Sequence, residues 1–124
     1  MTATASLTYK DLRGYRDAAD KLGELRVVEG TDCDLEIGAI TEVAARAANP
    51  KVVLFDNING YPRGFRVVTN PVCSAVTTAL AFGLNPKLTG LDIIRASKEK
   101  LGSQKPIKLM EVSSGGSNRE RRQQ

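Results

Sequence analysis

A chain of 124 residues with 41% hydrophobic residues can bury one core and not two, so a single folded domain is expected. It contains no histidine, which excludes Ser-His-Asp, Cys-His and histidine-metal chemistry within this chain. The formal charge is +4, but Arg119, Arg121 and Arg122 against Glu120 supply half of it, so the body is close to neutral and nucleic-acid binding is not expected.

The first predicted element is a helix over residues 9–22. Thr8 and Asp11 stand three apart, the N-cap and N3 positions of a capping-box-like start. Leu12, Tyr15, Ala19 and Leu22 recur at steps of three and four as one apolar stripe, and Gly23 tolerates left-handed geometry just past the end. Leu25–Val28 is a short β-favouring run closed by Glu29-Gly30. Asp32, Asp34 and Glu36 then place acids at alternating positions. A metal ligand set is one reading; the preferred one is that Asp32 or Asp34 caps a helix whose positive end favours Glu36. That helix is expected over 35–48, with Ile37, Ile40, Ala44 and Ala47 on its apolar face and Asn49-Pro50 ending it.

Val52–Phe55 is an unbroken apolar run, the pattern of a central strand buried on both faces. Asn57, Asn59 and Gly60 make the turn, Tyr61 and Pro62 stiffen its exit, and Phe65–Val68 returns as a strand through a hairpin or a longer loop before Asn70-Pro71. Ser74–Phe82 reads as a short packed helix ended by Gly83. Thr89 and Asp92 are expected to cap a last helix with Leu91, Ile94 and Leu101 inward, Arg95, Lys98 and Lys100 towards water, and Gly102 at its end. Ile107–Val112 adds either a strand or a docked extended arm.

These elements describe an α/β domain over 1–112, a small mixed sheet covered by about four helices, followed by a flexible polar and basic tail over 113–124. There is no run of about 18 apolar residues to span a membrane, and Met1–Leu7 lacks the basic-then-apolar pattern of a secretory signal. A cytoplasmic location is expected, with Cys33 and Cys73 as free thiols because no C-x-x-C pair is present.

Candidate chemistry is sparse. Neither glycine-rich phosphate pattern occurs. Arg63 and Arg66 lie near Gly64, where they can meet an anion, although solvated arginines are the preferred reading. Glu24 and Glu29 bracket the first strand and Asp56 ends the second, the strand ends at which α/β proteins often place chemistry. No pair of carboxylates is spaced in a way that argues for acid–base work. Cys73 precedes a helix whose N-terminus can lower a thiol pKa, the alternative being a small buried thiol. No catalytic, cofactor-binding or metal-ligating residue is therefore assigned on this chain.

The run Leu12-Arg13, Gly23-Glu24-Leu25-Arg26-Val27, Asp32, Leu35-Glu36-Ile37 and Ile40-Thr41 resembles the opening of UbiD-type decarboxylases, reversible carboxy-lyases that use prenylated flavin mononucleotide. Leu54-Phe55-Asp56-Asn57-Ile58-Asn59-Gly60-Tyr61-Pro62 is similar to that family's Phe-(Glu/Asp)-Asn-(Val/Ile)-x-Gly-Tyr-Pro signature. Thr69-Asn70, Ala79-Leu80-Ala81-Phe82-Gly83-Leu84 and Pro106-Ile107 continue the likeness. It covers Leu12–Val112 and only the N-terminal α/β domain of the family. The split-barrel domain, with its prenylated flavin, metal ion and catalytic Arg and Glu residues, would begin beyond Val112. Where the family often has Asn-Leu-Phe-Gly-Ser-x-x-Arg, this chain has Asn70-Pro71-Val72-Cys73-Ser74-Ala75-Val76-Thr77, with Thr77 for the arginine and Cys73 for the glycine.

The resemblance implies an accessory or small subunit of a UbiD-type carboxy-lyase, contributing to assembly or active-site closure for (de)carboxylation of an aromatic or unsaturated acid. It implies a protein partner that carries the prenylated flavin and a metal ion, with none bound by this chain, and it is compatible with a homo-oligomer. The alternative reading is a non-enzymatic interaction module, binding through Arg119–Arg122, or an inactive truncated homologue.

Overall fold

The computed structural model describes residues 8–111 and 113. Its first helix, α1 (Leu12–Lys21), starts later than the spacing predicts. Asp11 itself is the N-cap: its carboxylate accepts the Gly14 N–H at 2.8 Å, which satisfies an orphan donor and sets a negative charge at the positive helix end. Thr8 and Tyr9 are thereby left outside the helix. Tyr9 stacks edge-on against Tyr15 at 5.2 Å and donates its hydroxyl to the Ala81 carbonyl at 3.2 Å, an anchor that a continuing helix would carry away. Gly23, at φ +71°, closes α1 in the expected left-handed conformation, with Glu24 N–H reaching back to the Ala19 carbonyl at 2.9 Å.

β1 (Leu25–Glu29), α2 (Glu36–Ala45) and β2 (Val52–Asp56) form a β-α-β unit in which the strands pair in parallel, Leu25 opposite Val52 through Glu29 opposite Asp56. Neither Asp32 nor Asp34 caps α2. The Asp32 carboxylate accepts the Asp34 N–H at 3.2 Å in a local turn, and the Glu36 carboxylate accepts the Asp32 N–H at 2.7 Å. The acids thus satisfy donors inside their own loop, and the cap position falls to Leu35 at φ +64° without a side-chain bond. α2 ends at Ala45, short of the expected Ala48, so Ala47 lies beyond it.

β2 is central, and its four apolar residues are all buried. Alternation sends Val52 to a core with Tyr15, Ala18, Ala19 and Leu80, and Val53 and Phe55 to a second core with Ile58, against which Ile37, Ile40 and Ala44 of α2 pack. β3 (Val67–Thr69) pairs antiparallel with β2, completing the mixed sheet in the order β1-β2-β3. The return is by a loop over 57–66 rather than a tight hairpin, and Phe65 is exposed in that loop.

α3 (Ala75–Ala81) matches expectation closely. Ser74 caps it through a capping box with Thr77, and Gly83 at φ +63° follows its end. α4 (Leu91–Ser103) departs from expectation. Its N-cap is Gly90 without a side-chain bond, because the Asp92 N–H goes to the Thr89 carbonyl rather than to the hydroxyl. The helix continues one residue past Gly102. Ile93 is the buried residue, while Leu91, Ile94 and Leu101 face outward. The 93/100 side faces inward, with Ile93 buried and the Lys100 ammonium donating to the Phe82 carbonyl at the end of α3. The described part of 107–112 is neither strand nor docked arm: Ile107, Leu109 and Met110 are exposed, since α4 touches the other elements only lightly and leads the chain away from the cores. Val112 and the basic tail over 114–124 lie outside the described residues. No helix among the described residues is long and apolar enough to cross a membrane.

Candidate functional site

Parallel pairing delivers Glu29 and Asp56 side by side at the carboxyl ends of β1 and β2, and the antiparallel return brings Arg66 beside them. The Arg66 guanidinium lies 3.1 Å from the Asp56 carboxylate. Asn57, held at φ +47°, donates its side-chain amide to Glu29 at 2.9 Å, while its backbone N–H goes to Asp56 at 2.8 Å. Asn59 bonds the preceding loop twice, side chain to the Gly30 carbonyl and backbone N–H to the Thr31 carbonyl, both at 2.9 Å. The segment Asp56–Asn59 is therefore a clasp joining the loops that follow two neighbouring strands. The Asn57 N–H and then the Arg66 guanidinium hold the Asp56 carboxyl below its ordinary pKa, which keeps it ionised at neutral pH.

Beside the clasp lies an open cleft of about 640 Å³ over the uncovered end of one sheet face. Leu54 and Val68, paired across β2 and β3, form its floor, and Arg13, Arg16 and Arg66 stand at its rim. A smaller hollow of about 270 Å³, lined by Glu29, Asp56 and Arg63, adjoins it through Gly64 and Arg66. The local charges balance: Arg16 pairs with Asp17 at 2.6 Å, Arg66 with Asp56, and Asp11 shares the rim with Arg13. An apolar floor with a neutralised rim suits contact with another surface more than capture of a free anion.

The opposite end of the sheet carries a second polar group. Glu24 pairs with Lys51 at 3.0 Å and accepts a long bond from the Ser74 hydroxyl at 3.4 Å. Cys73 lies beside them, and burial pushes its thiol pKa up, so the helix N-terminus does not activate it. Tyr15 is raised to about 12, chiefly by burial, and donates its hydroxyl to the Pro71 carbonyl. Both groups are protonated at neutral pH.

The structure thus unites Glu29, Asp56, Arg63 and Arg66 but sends Glu24 to the far end of the strand. Sequence reading missed Arg13 and Arg16, whose spacing of three on the polar side of α1 is the signal for a shared rim, and Lys51, the partner of Glu24. Other motif residues meet in space as well: the Thr41 hydroxyl bonds that of Thr69 at 3.0 Å, and the Asn70 side chain donates to the Thr41 carbonyl at 3.1 Å. Thr77, which stands where the resembling family often has arginine, is fully buried, and its hydroxyl accepts the N–H groups of Cys73 and Ser74 at 3.0 and 2.8 Å.

The metal ion implied by the resemblance does not fit the donor set of the described residues. Among the described residues no three acidic or thiol side chains converge to hold a cation. At the rim of the cleft Arg16 and Arg66 are engaged by carboxylates, whereas Arg13 forms no ion pair among the described residues.

The profile of the 3-octaprenyl-4-hydroxybenzoate carboxy-lyase N-terminal domain family matches residues 16–97. No curated protein matches the chain. Among solved structures, vanillic acid decarboxylase of Sedimentibacter hydroxybenzoicus (ShVdcCD) in open form, with truncated ShVdcD, is similar with a TM-score of 0.67 and 30% identity, over 74% of this chain and 20% of that one. A second open-form structure of that enzyme has a TM-score of 0.64 and 31% identity over 70% of this chain and 18% of that one. The closed form has 0.55 and 32% over 68% and 18%. This chain spans about a fifth of the length of the relatives it matches.

Proposed function

Because this chain belongs to the 3-octaprenyl-4-hydroxybenzoate carboxy-lyase N-terminal domain family, we propose that it is an accessory subunit of a UbiD-type carboxy-lyase. Its work is assembly or closure of an active site built largely by a partner chain. The observation that carries this reading is the match of most of this domain to a fifth of a vanillic acid decarboxylase chain, in structures of a multi-chain complex. In this reading the prenylated flavin and its metal ion belong to the partner, and the substrate is an aromatic or unsaturated acid. The groups at the strand ends are compatible with that division of labour. Asp56 is held ionised by fixed donors, Cys73 and Tyr15 are held protonated, and none is poised to exchange a proton near neutral pH.

The test is co-expression with a UbiD-type large chain from the same source. A stable complex that releases CO2 from the acid only when both chains and the prenylated flavin are present is the expected result. Failure of the two chains to co-purify, or full activity of the large chain alone, would overturn the reading.

A further inference from the structure

The two edges of the sheet are finished differently. β3 is 3 residues long and stops at Asn70, held at φ +52°, and Pro71, so it offers little to a further strand. β1 pairs with β2 in unbroken register over 5 residues and contains no proline, glycine or bulge. Its other side pairs with no strand among the described residues, and Val27 at its middle is 55% exposed.

In a parallel ladder a residue directs its N–H and its C=O to the same side, and successive residues alternate. The Glu24 carbonyl accepts the Val52 N–H at 2.9 Å, so Arg26 and Val28 also direct their backbone groups to β2. Leu25, Val27 and Glu29 therefore direct theirs outward, where among the described residues they meet no hydrogen-bond partner. A regular row of unpaired donors and acceptors is a template for another strand.

The strand that fits this row is β1 itself. Antiparallel pairing about a two-fold axis at Val27 sets Val27 opposite Val27 of a second copy and Leu25 opposite its Glu29, each pair exchanging two hydrogen bonds. Every outward group of the strand is then satisfied, whereas sliding the register by two residues leaves Leu25 or Glu29 unpaired in both copies. The side chains agree with this register. Arg26 falls opposite Val28 and Glu29 opposite Leu25, so no like charges meet. Val27 is in register with Leu54, and Leu54 with Val68, the floor of the cleft. The two-fold axis joins the two floors through Val27 into one continuous apolar row.

We propose that β1 is a self-pairing edge through which two copies of this chain form a symmetric dimer, with one sheet in the order β3-β2-β1-β1-β2-β3. The proposal does not depend on the accessory-subunit reading. The test is sedimentation equilibrium of the full chain, with amide exchange followed in parallel. A concentration-dependent dimer is expected, in which the Leu25, Val27 and Glu29 amides exchange more slowly as the protein concentration rises. Val27→Lys and Val27→Glu each set like charges together at the axis and are expected to weaken dimerisation by about tenfold or more. Mixed in equal amounts, the two variants are expected to recover the dimer. Both should keep the circular dichroism and thermal midpoint of the unaltered protein, since the position is more than half exposed. Val27→Pro removes an outward N–H that β2 does not use and is expected to abolish the dimer; if it fails to fold, the lysine and glutamate variants decide. Val43→Glu, exposed on α2, is expected to dimerise like the unaltered protein.

A chain that stays monomeric throughout the concentration range overturns the proposal, as does a dimer that Val27→Lys leaves intact or that the mixture of variants does not restore. A dimer dissolved by Leu101→Glu but not by Val27→Lys also overturns it, placing the interface on α4.

Discussion

Thr77 illustrates how a single side chain can be committed to the fold. Its hydroxyl accepts two backbone N–H groups while the side chain is fully buried, so Thr77→Ala leaves donors without partners and is expected to cost about 1–3 kcal/mol by urea unfolding. Thr77→Ser keeps the hydroxyl and should recover most of that loss, whereas Thr77→Arg, which restores the side chain often found in the resembling family, should fail to fold because no room exists for it. Asp56 makes a pH prediction. Its pKa is depressed in the folded state, so its stabilising contribution is complete above the ordinary value of 3.8 and is lost as pH falls below that value through the folded one. Asp56→Asn should therefore lower stability at neutral pH and flatten the acid limb of the urea midpoint measured against pH. The two thiols should also separate in alkylation followed by mass spectrometry, with exposed Cys33 modified first and half-buried Cys73, its pKa raised, modified slowly at neutral pH.

At the scale of elements, stability is concentrated in β2 because its fully buried residues belong to both cores, whereas β1 reaches them only through the half-buried Leu25 and Val28. Phe55 is fully enclosed there, and Phe55→Ala is expected to cost about 3–5 kcal/mol, a large share of the roughly 5–15 kcal/mol that holds a typical domain together. Ile93→Ala should cost less, since α4 touches the remainder of the fold only lightly, and urea titration of the two variants ranks them. The motifs that carry the family likeness are ties between elements. Asp56–Asn59 joins the loops after β1 and β2, Thr41 meets Thr69 and Asn70 between α2 and β3, and Glu24 holds Lys51 and Ser74. Asn57→Ala should loosen the first of these ties, through loss of the Glu29 bond and strain at φ +47°, and raise amide exchange in both loops together.

For the whole molecule, the sequence by itself determined the α/β class, the buried central strand, the short helix from Ser74, the left-handed turns at Gly23 and Gly83 and the family. These are encoded within a few residues of one another, in apolar period, cap chemistry and glycine. The structure alone decided matters in which local signals compete or distant residues meet. Thr8 and Asp11 both read as the start of α1, and the tie of Tyr9 to Ala81 in α3 selected Asp11. Asp32 and Asp34 read as helix caps, but the Asp32 carboxylate accepts the Asp34 N–H within the loop and the cap position falls to Leu35. The cleft beside the clasp draws on α1, β2 and the return loop, which no spacing rule connects. α4 is the sharpest case: its large aliphatic residues Leu91, Ile93, Ile94 and Leu101 do not share one narrow stripe, and the periodicity favours the side that the structure leaves exposed. In the structure Ile93 and the Lys100 contact to the end of α3 face inward while Leu91, Ile94 and Leu101 face out, an orientation that tertiary packing and not the apolar count decides.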